Sequence, residues 1–392
     1  MRGLALEGGG ARGAYHIGAT KALVEKGYAF DGFVGTSIGA INAAILAQGD
    51  LEAALELWEH ISIEDIFEND EQILVRLADL KGLKGELRPS GARRRAIRKV
   101  IENRGVSTDK MKAFLSRYID EEKLRRMGKD YGLVTISISD RRPQELMLED
   151  IPQGQLFSYV MASASFPGFR PEAIEGKVFL DGAFYNNCPY DLLMERGYEE
   201  IIVIRTHASG VFKKSDNPKI KLIDPRDDLG NIMLFTPESN GKKIKIGYYD
   251  GLRFAENLRG SVYYIHPMAP DRFDARLLSL GDDVIRSVRE LLDIPAMPEK
   301  RALFEEIIPR LGAYMRLGKG FDYTDFVVGL LEHVATQNEV ERFCVYDYER
   351  LRTLAGCVPQ KHKTHKIREW IPANVKMANK KKAANLLGKF LI

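Results

Sequence analysis

Gly3-Leu-Ala-Leu-Glu7, running directly into Gly8-Gly-Gly-Ala-Arg-Gly13, is the stretch on which the fold turns. The first five residues are short and apolar enough for a buried strand, and the glycines end it. From Ala14 to Lys26 apolar side chains fall at Ile17, Ala19, Leu23 and Val24, a helical spacing that stops at Gly27. The pattern then repeats. Phe30–Val34 reads as a second strand, Gly35-Thr-Ser37-Ile-Gly39 as a second glycine turn, and Ser37 to Ala47 as a second helix. Strand, turn and helix in immediate repetition predict parallel strands with helices packed on them.

Residues 50–130 are helical in pattern and highly charged, with a basic cluster from Arg88 to Lys99, and read as an inserted cap of helices. Strands resume at Gly132–Ser139 and Glu145–Leu148. A short helix at Leu156–Ser163 precedes a strand at Lys177–Leu180, which leads into Asp181-Gly-Ala183; Ile201–Ile204 is a further buried strand. Beyond about residue 240 the pattern is helical, at Ile244–Leu258, Asp282–Leu292, Lys300–Leu317 and Tyr323–Val340. The expected organisation is an α/β domain over 1–210, a mostly helical region over 211–360 and a basic tail over 361–392. The first boundary is soft, in the polar, proline-containing stretch Lys213–Pro225.

Composition is that of a globular chain, neither disordered nor membrane-embedded: 45% of the 392 residues are hydrophobic, 29% are charged, and mean hydropathy is −0.24. No stretch approaches the run of about 18 apolar residues that a spanning helix needs, and the N-terminus lacks the apolar core of a signal peptide. Cys188, Cys344 and Cys357 suit reduced thiols better than a disulfide framework. A cytoplasmic protein is expected.

The net charge of +3 is unevenly placed. Residues 361–392 hold nine lysines and arginines against the single acid Glu369, leaving the first 360 residues at −5. Within that tail, Lys380, Lys381, Lys382 and Lys389 are combined with Leu386, Leu387, Phe390, Leu391 and Ile392. Such a basic amphipathic pattern suits an anionic membrane surface or a helix docked on its own domain. The cluster Arg93, Arg94, Arg95, Arg98 and Lys99 reads as a solvated helix face or as an attractor of phosphate head groups. No nucleic-acid partner is expected.

Three motifs carry chemistry. In Gly35-Thr36-Ser37-Ile38-Gly39 a serine sits in a sharp strand-to-helix turn, where glycines two before and two after remove Cβ atoms that would clash. Such a turn lifts the hydroxyl out of the fold and leaves the Ile38 N–H near a developing oxyanion. Gly8-Gly9-Gly10-Ala11-Arg12-Gly13 fits the G-x-G-x-x-G pattern of a dinucleotide site, but Asp31, the acid that would hold a ribose, lies at the start of the next strand rather than its end. The same loop can offer bare N–H groups to an acyl-transfer oxyanion, a use that fits better beside the serine turn. Asp181-Gly182-Ala183 puts a carboxylate at the end of a strand, where α/β proteins place their sites, although D-G is also an ordinary turn signal.

The glycine loop at 8–13, the serine turn at 35–39 and the aspartate at 181–183, in that order, resemble the patatin-like phospholipase family. Ala162-Ser-Ala-Ser-Phe-Pro167 and Asn186-Asn187-Cys-Pro189 add to the resemblance, which covers about residues 1–210. It implies a three-layer α/β/α domain with a mainly parallel central sheet and a lipid acyl hydrolase using Ser37 as nucleophile and Asp181 as its base. It also implies an oxyanion loop at Gly8, Gly9, Gly10, Arg12 and Gly13, and a phospholipid or other lipid ester as substrate. Ala183 stands where a glycine is commoner, and Glu7 where an aspartate is frequent.

A carboxylate within hydrogen-bond reach can take the serine's proton directly, and an ester's good leaving group tolerates a base weaker than imidazole. The competing arrangement is a triad of Ser37, Asp181 and His207, which occur in α/β-hydrolase chain order. A lipid acyltransferase and a non-catalytic lipid-binding protein are the remaining alternatives. His16 reads as a packed histidine. No His/Cys spacing resembles a metal site, and no cofactor is called for.

Overall fold

A computed structural model of the chain describes residues 1–68, 105–269, 273–357 and 373–392. The basic cluster at Arg93–Lys99 and much of the expected cap lie outside them. The chain divides into two compact units, Met1–Ala255 and Glu256–Ile392.

The first unit is built on one mixed sheet. Strands β1 (Arg2–Leu6), β2 (Gly32–Thr36), β3 (Asp130–Ser137), β7 (Glu200–Ile204) and β8 (Ile220–Ile223) pair in parallel in the order β3-β2-β1-β7-β8. Strands β4 (Arg142–Met147), β5 (Glu172–Ile174) and β6 (Lys177–Asp181) join at the β3 side through antiparallel pairings, β4 and β6 with β3 and β5 with β6. The central strands are buried on both faces, which is why Leu4, Ala5 and Leu6 or Ile201 to Ile204 read as unbroken apolar runs. Helices α1 (Ala14–Glu25) and α2 (Ile38–Ala47) follow β1 and β2 as the repeated pattern predicts. Described parts of the expected cap are short helices, among them Leu51–His60 and Asp109–Leu115.

The edges of β3 decide how the unit closes. Strand β4 covers one edge along Gly132–Ser137. The other is shared: β2 pairs up to Thr36 opposite Val134, and β6 pairs from Asp181 opposite Thr135 onward. Because β2 is parallel to β3 and β6 antiparallel, the two strands meet head-on.

The boundary between the units falls at 255/256 rather than near 210–240. Strand β8 still belongs to the sheet, and helix Pro237–Glu256 lies across α1 with glycines at the crossing. A Cβ on Gly247 would run into the carbonyl of Tyr15, and the Tyr15 hydroxyl donates to Asp250 at 2.9 Å.

Among its described residues, the second unit is helical apart from one parallel pair of two-residue strands, Tyr264–Ile265 and Val345–Tyr346. Its segment 300–317 is less regular than the periodicity predicts. A π-helical stretch, Ala302–Ile307, precedes Pro309, whose missing N–H breaks the α-helical ladder. The tail forms helix Ala373–Leu391, and Ala383, Ala384, Leu387 and Leu391 are part of this unit's core. Lys381, Lys382, Lys389 and Phe390 remain exposed. Among the described residues, no helix is long and apolar enough to cross a membrane.

Candidate active site

The head-on meeting of β2 and β6 delivers Ser37, the residue after Thr36, to Asp181. Ser37 Oγ donates to Asp181 Oδ2 at 2.7 Å. The expected location of the aspartate, at a strand's carboxyl end, is the observed one, but it arrives on an antiparallel strand.

Ser37 caps α2 with φ 56° and ψ −126°, a left-handed conformation that a non-glycine residue holds only under strain, on the order of 1–3 kcal/mol. The surroundings enforce it. A Cβ on Gly39 would strike the carbonyl of Leu6, and one on Gly35 would strike Gly39 itself, so both flanking glycines are required. The Thr36 hydroxyl donates to the Asn186 carbonyl at 2.8 Å. Ser163 completes the clamp: its Oγ accepts the Ser37 N–H at 2.9 Å and donates to the Val134 carbonyl at 2.7 Å. Ser163 lies in the small-residue run Ala162–Ser165, and that run was the only sequence signal for this role.

Asp181 is buried. Its second oxygen, Oδ1, accepts the Ala183 N–H at 2.8 Å, and Gly182–Phe184 forms the tight turn that brings this donor round. Burial pushes the carboxyl up to about 6, and the hydrogen bonds from Ala183 and Ser37 pull the other way. A carboxylate at about 6 is ionised at neutral pH yet retains affinity for a proton.

A pocket opens on the pair. Gly9, Gly10, Ile38, Ala183 and Asn187 are among its lining residues, and Ile41, Ile66, Met111, Phe166, Phe169 and Phe235 give it an apolar wall. Among the described residues, the N–H groups of Gly9, Gly10 and Ile38 have no acceptor in the protein.

The other residues expected in the oxyanion loop have different duties. The Gly8 N–H is spent on the Asn187 carbonyl at 2.9 Å. Arg12 points away from the pocket and donates to the carbonyls of Gly230, Thr206 and His207 at 2.8, 3.0 and 2.9 Å. The Gly13 carbonyl accepts the Asn42 amide at 2.9 Å. These three brace the loop, and Gly9 and Gly10 face the pocket.

His207 does not complete a triad. Its Nε2 lies 3.0 Å from Asp224 Oδ1, and both oxygens of Asp181 are engaged by Ser37 and Ala183. His16 is fully buried, 3.2 Å from the Asn42 amide, and burial pushes its imidazole down to about 3, so it stays neutral. Asp31, the acid that a dinucleotide's ribose would need, accepts the Arg2 N–H at 2.8 Å at the end of β2 opposite Ser37. The unforeseen polar group is the Asn187 side chain, 1% exposed, which lines the pocket with neither amide atom partnered. Among the described residues, no cluster of three or more His, Cys, Asp or Glu could hold a metal ion.

Residues 4–194 match the family model described as patatin-like phospholipase. Rat patatin-like phospholipase domain-containing protein 7 is 28% identical over 204 residues, 51% of this chain and 13% of its own length. Lysophospholipase nte1 of Neurospora crassa is 28% identical over 203 residues, 52% of this chain and 12% of its own. The chain thus spans about an eighth of the length of these curated relatives. Among solved structures, VipD from Legionella pneumophila aligns over 100% of this chain and 90% of its own, with 16% identity and a TM-score of 0.42.

Proposed function

We propose, from the match of residues 4–194 to the patatin-like phospholipase family, that this chain is a lipid acyl hydrolase in which Ser37 is the nucleophile and Asp181 its base. The observation that carries this reading is the 2.7 Å contact from Ser37 Oγ to a carboxylate that burial has made more basic. As Oγ attacks an ester carbonyl, its proton passes to Asp181 Oδ2. The carbonyl oxygen gains negative charge in reach of the N–H groups of Gly9, Gly10 and Ile38, preorganised donors in a pocket with an apolar wall. Asp181 then returns the proton to the departing alkoxide, leaving an acyl-serine. Water attacks that acyl group, giving its proton to the same carboxylate, and the collapse frees Ser37 and a fatty acid. An alcohol in place of water would make the reaction acyl transfer.

The apolar wall from Ile41 to Phe235 suits a fatty acyl chain, so the substrate is a phospholipid or lysophospholipid rather than a small polar ester. The exposed lysines of helix Ala373–Leu391 add electrostatic attraction to an anionic membrane surface, without the apolar insertion that the tail's sequence suggests. The test is a panel of short- and long-chain esters and lysophospholipids, with Ser37→Ala beside the wild type and a fluorophosphonate label as a second readout. Hydrolysis and labelling that both vanish in Ser37→Ala support the proposal. A wild type that neither hydrolyses nor labels would identify a binding protein, and release mainly of acylated alcohol or lysolipid would identify a transferase.

A further inference from the structure

Phe166 is 38% exposed, Phe184 51% and Val211 46%. They come from three segments far apart in sequence, and hydrogen bonds tie those segments together at one place. Asp181 gives its N–H to the carbonyl of Ser165, the residue before Phe166, at 2.9 Å. Ala183, the residue before Phe184, gives its N–H to the Asp181 carboxylate at 2.8 Å and accepts the N–H of Val211 at 2.9 Å. Tyr185, 36% exposed, continues the same turn. Phe166 and Ala183 themselves line the pocket, so the exposed apolar side chains border its mouth.

Among the described residues of the first unit, the other large exposed apolar side chains, Met1, Val24, Met127, Ile138 and Leu222, fall singly in separate segments, as such residues do on any surface. A cluster rimming a pocket is different: leaving it in water is unfavourable, and the arrangement makes sense only with something apolar against it. Among the described residues, the charges beside the rim are paired: Arg170, four residues after Phe166, lies 3.6 Å from Asp109. Lys213, beside Tyr185, is already engaged by Asp191 and Glu145. A protein partner would be expected to find charges or paired donors on such a patch; a lipid surface requires neither.

We propose that Phe166, Phe184, Tyr185 and Val211 form a docking surface for a lipid aggregate, seated so that an acyl chain passes from the aggregate into the pocket without crossing water. The proposal rests on the reading of Ser37 and Asp181 as the ester-cleaving pair. Because attachment is apolar, it holds on zwitterionic lipid and withstands salt, unlike attraction through the lysines of the tail.

The test uses the full chain and vesicles of pure phosphatidylcholine. Phe184→Ser and Val211→Ser are combined, since neither residue lines the pocket, and Leu222→Ser serves as control. The expected result is vesicle binding and vesicle hydrolysis weakened together, on the order of tenfold or more, with hydrolysis of dissolved p-nitrophenyl butyrate unchanged within about twofold and the melting temperature retained. Vesicle binding equal to that of the control would overturn the proposal, and so would an equal loss on the dissolved ester, which would assign the rim to the reaction or the fold. Vesicle binding is also measured in the Ser37→Ala background. If the wild type cleaves no ester at all, the catalytic reading fails while docking still receives its own answer.

Discussion

Glu7 and Arg12, one at each end of the glycine loop, hold the same dipeptide from opposite sides. The Glu7 carboxylate accepts the N–H groups of Thr206 and His207 at 2.6 and 2.9 Å; the Arg12 guanidinium donates to the carbonyls of the same two residues at 3.0 and 2.9 Å. Glu7 is also paired with Arg205 at 3.0 Å. The loop between them is fixed at both ends, so the N–H groups of Gly9 and Gly10 can stay aimed at the pocket without partners of their own. Replacing Arg12 with methionine keeps much of the side chain's bulk and removes all three contacts. The expected effect is a fall in kcat of about ten- to a hundredfold with KM nearly unchanged, because the donors act mainly on the transition state. Steady-state kinetics on a dissolved ester checks it, and an unchanged kcat would mean that the loop holds itself.

The buried carboxylate gives activity and stability opposite dependences on pH. Asp181 must be ionised to act as base, so kcat/KM should rise through about pH 6 and level off above it. Its pKa in the folded protein is raised, so folding favours the protonated form. That stabilisation is complete below about pH 4 and is lost as pH rises through about 6, a swing of about 3 kcal/mol. Asp181→Asn should therefore be inactive yet melt above the wild type at pH 8, with the gap closing toward pH 4. A variant that melts lower than the wild type at pH 8 would count against this account.

His207→Ala should retain ester hydrolysis within about threefold, since loss of a general base ordinarily costs a hundredfold or more. The imidazole is half exposed and turned to Asp224, 3.0 Å away. Near-complete loss of activity would restore the triad.

The tail is structural before it is anything else. Leu387 is fully buried with Leu391, Ala383 and Ala384 in the core of the second unit. Leu387→Ala should destabilise that unit by about 2–5 kcal/mol in denaturant titrations. Changing Lys381, Lys382 and Lys389 to glutamine should leave its stability within about 0.5 kcal/mol and weaken binding to anionic vesicles only. Removal of the whole tail tests neither idea cleanly, because it takes core residues with it.

Sequence reasoning reached what local pattern determines. Each strand–glycine–helix unit is written in consecutive residues, and Ser37 and Asp181 are named by the chemistry their turns permit. It did not reach the features set by partners distant in sequence. Nothing in Lys177–Asp181 says that it runs against β3, and nothing in Ser163 says that its hydroxyl holds the nucleophile's N–H. Ile220–Ile223 is a four-residue edge strand half composed of exposed residues, too weak a signal to carry the first unit past 210. In the tail, the apolar stripe of an amphipathic helix looks alike whether protein or lipid covers it.

The shared edge of β3 makes the path between nucleophile and base immaterial. Ser37 and Asp181 are 144 residues apart, yet what sets their spacing is a ladder in which Thr36 faces Val134 and Asp181 faces Thr135. Connecting segments on either side of β3 can therefore grow, shrink or acquire whole new helices without disturbing the proton's route. Excising one residue from the middle of β3 would do what no long insertion can: the alternation of the strand would turn the carboxylate to the far face of the sheet.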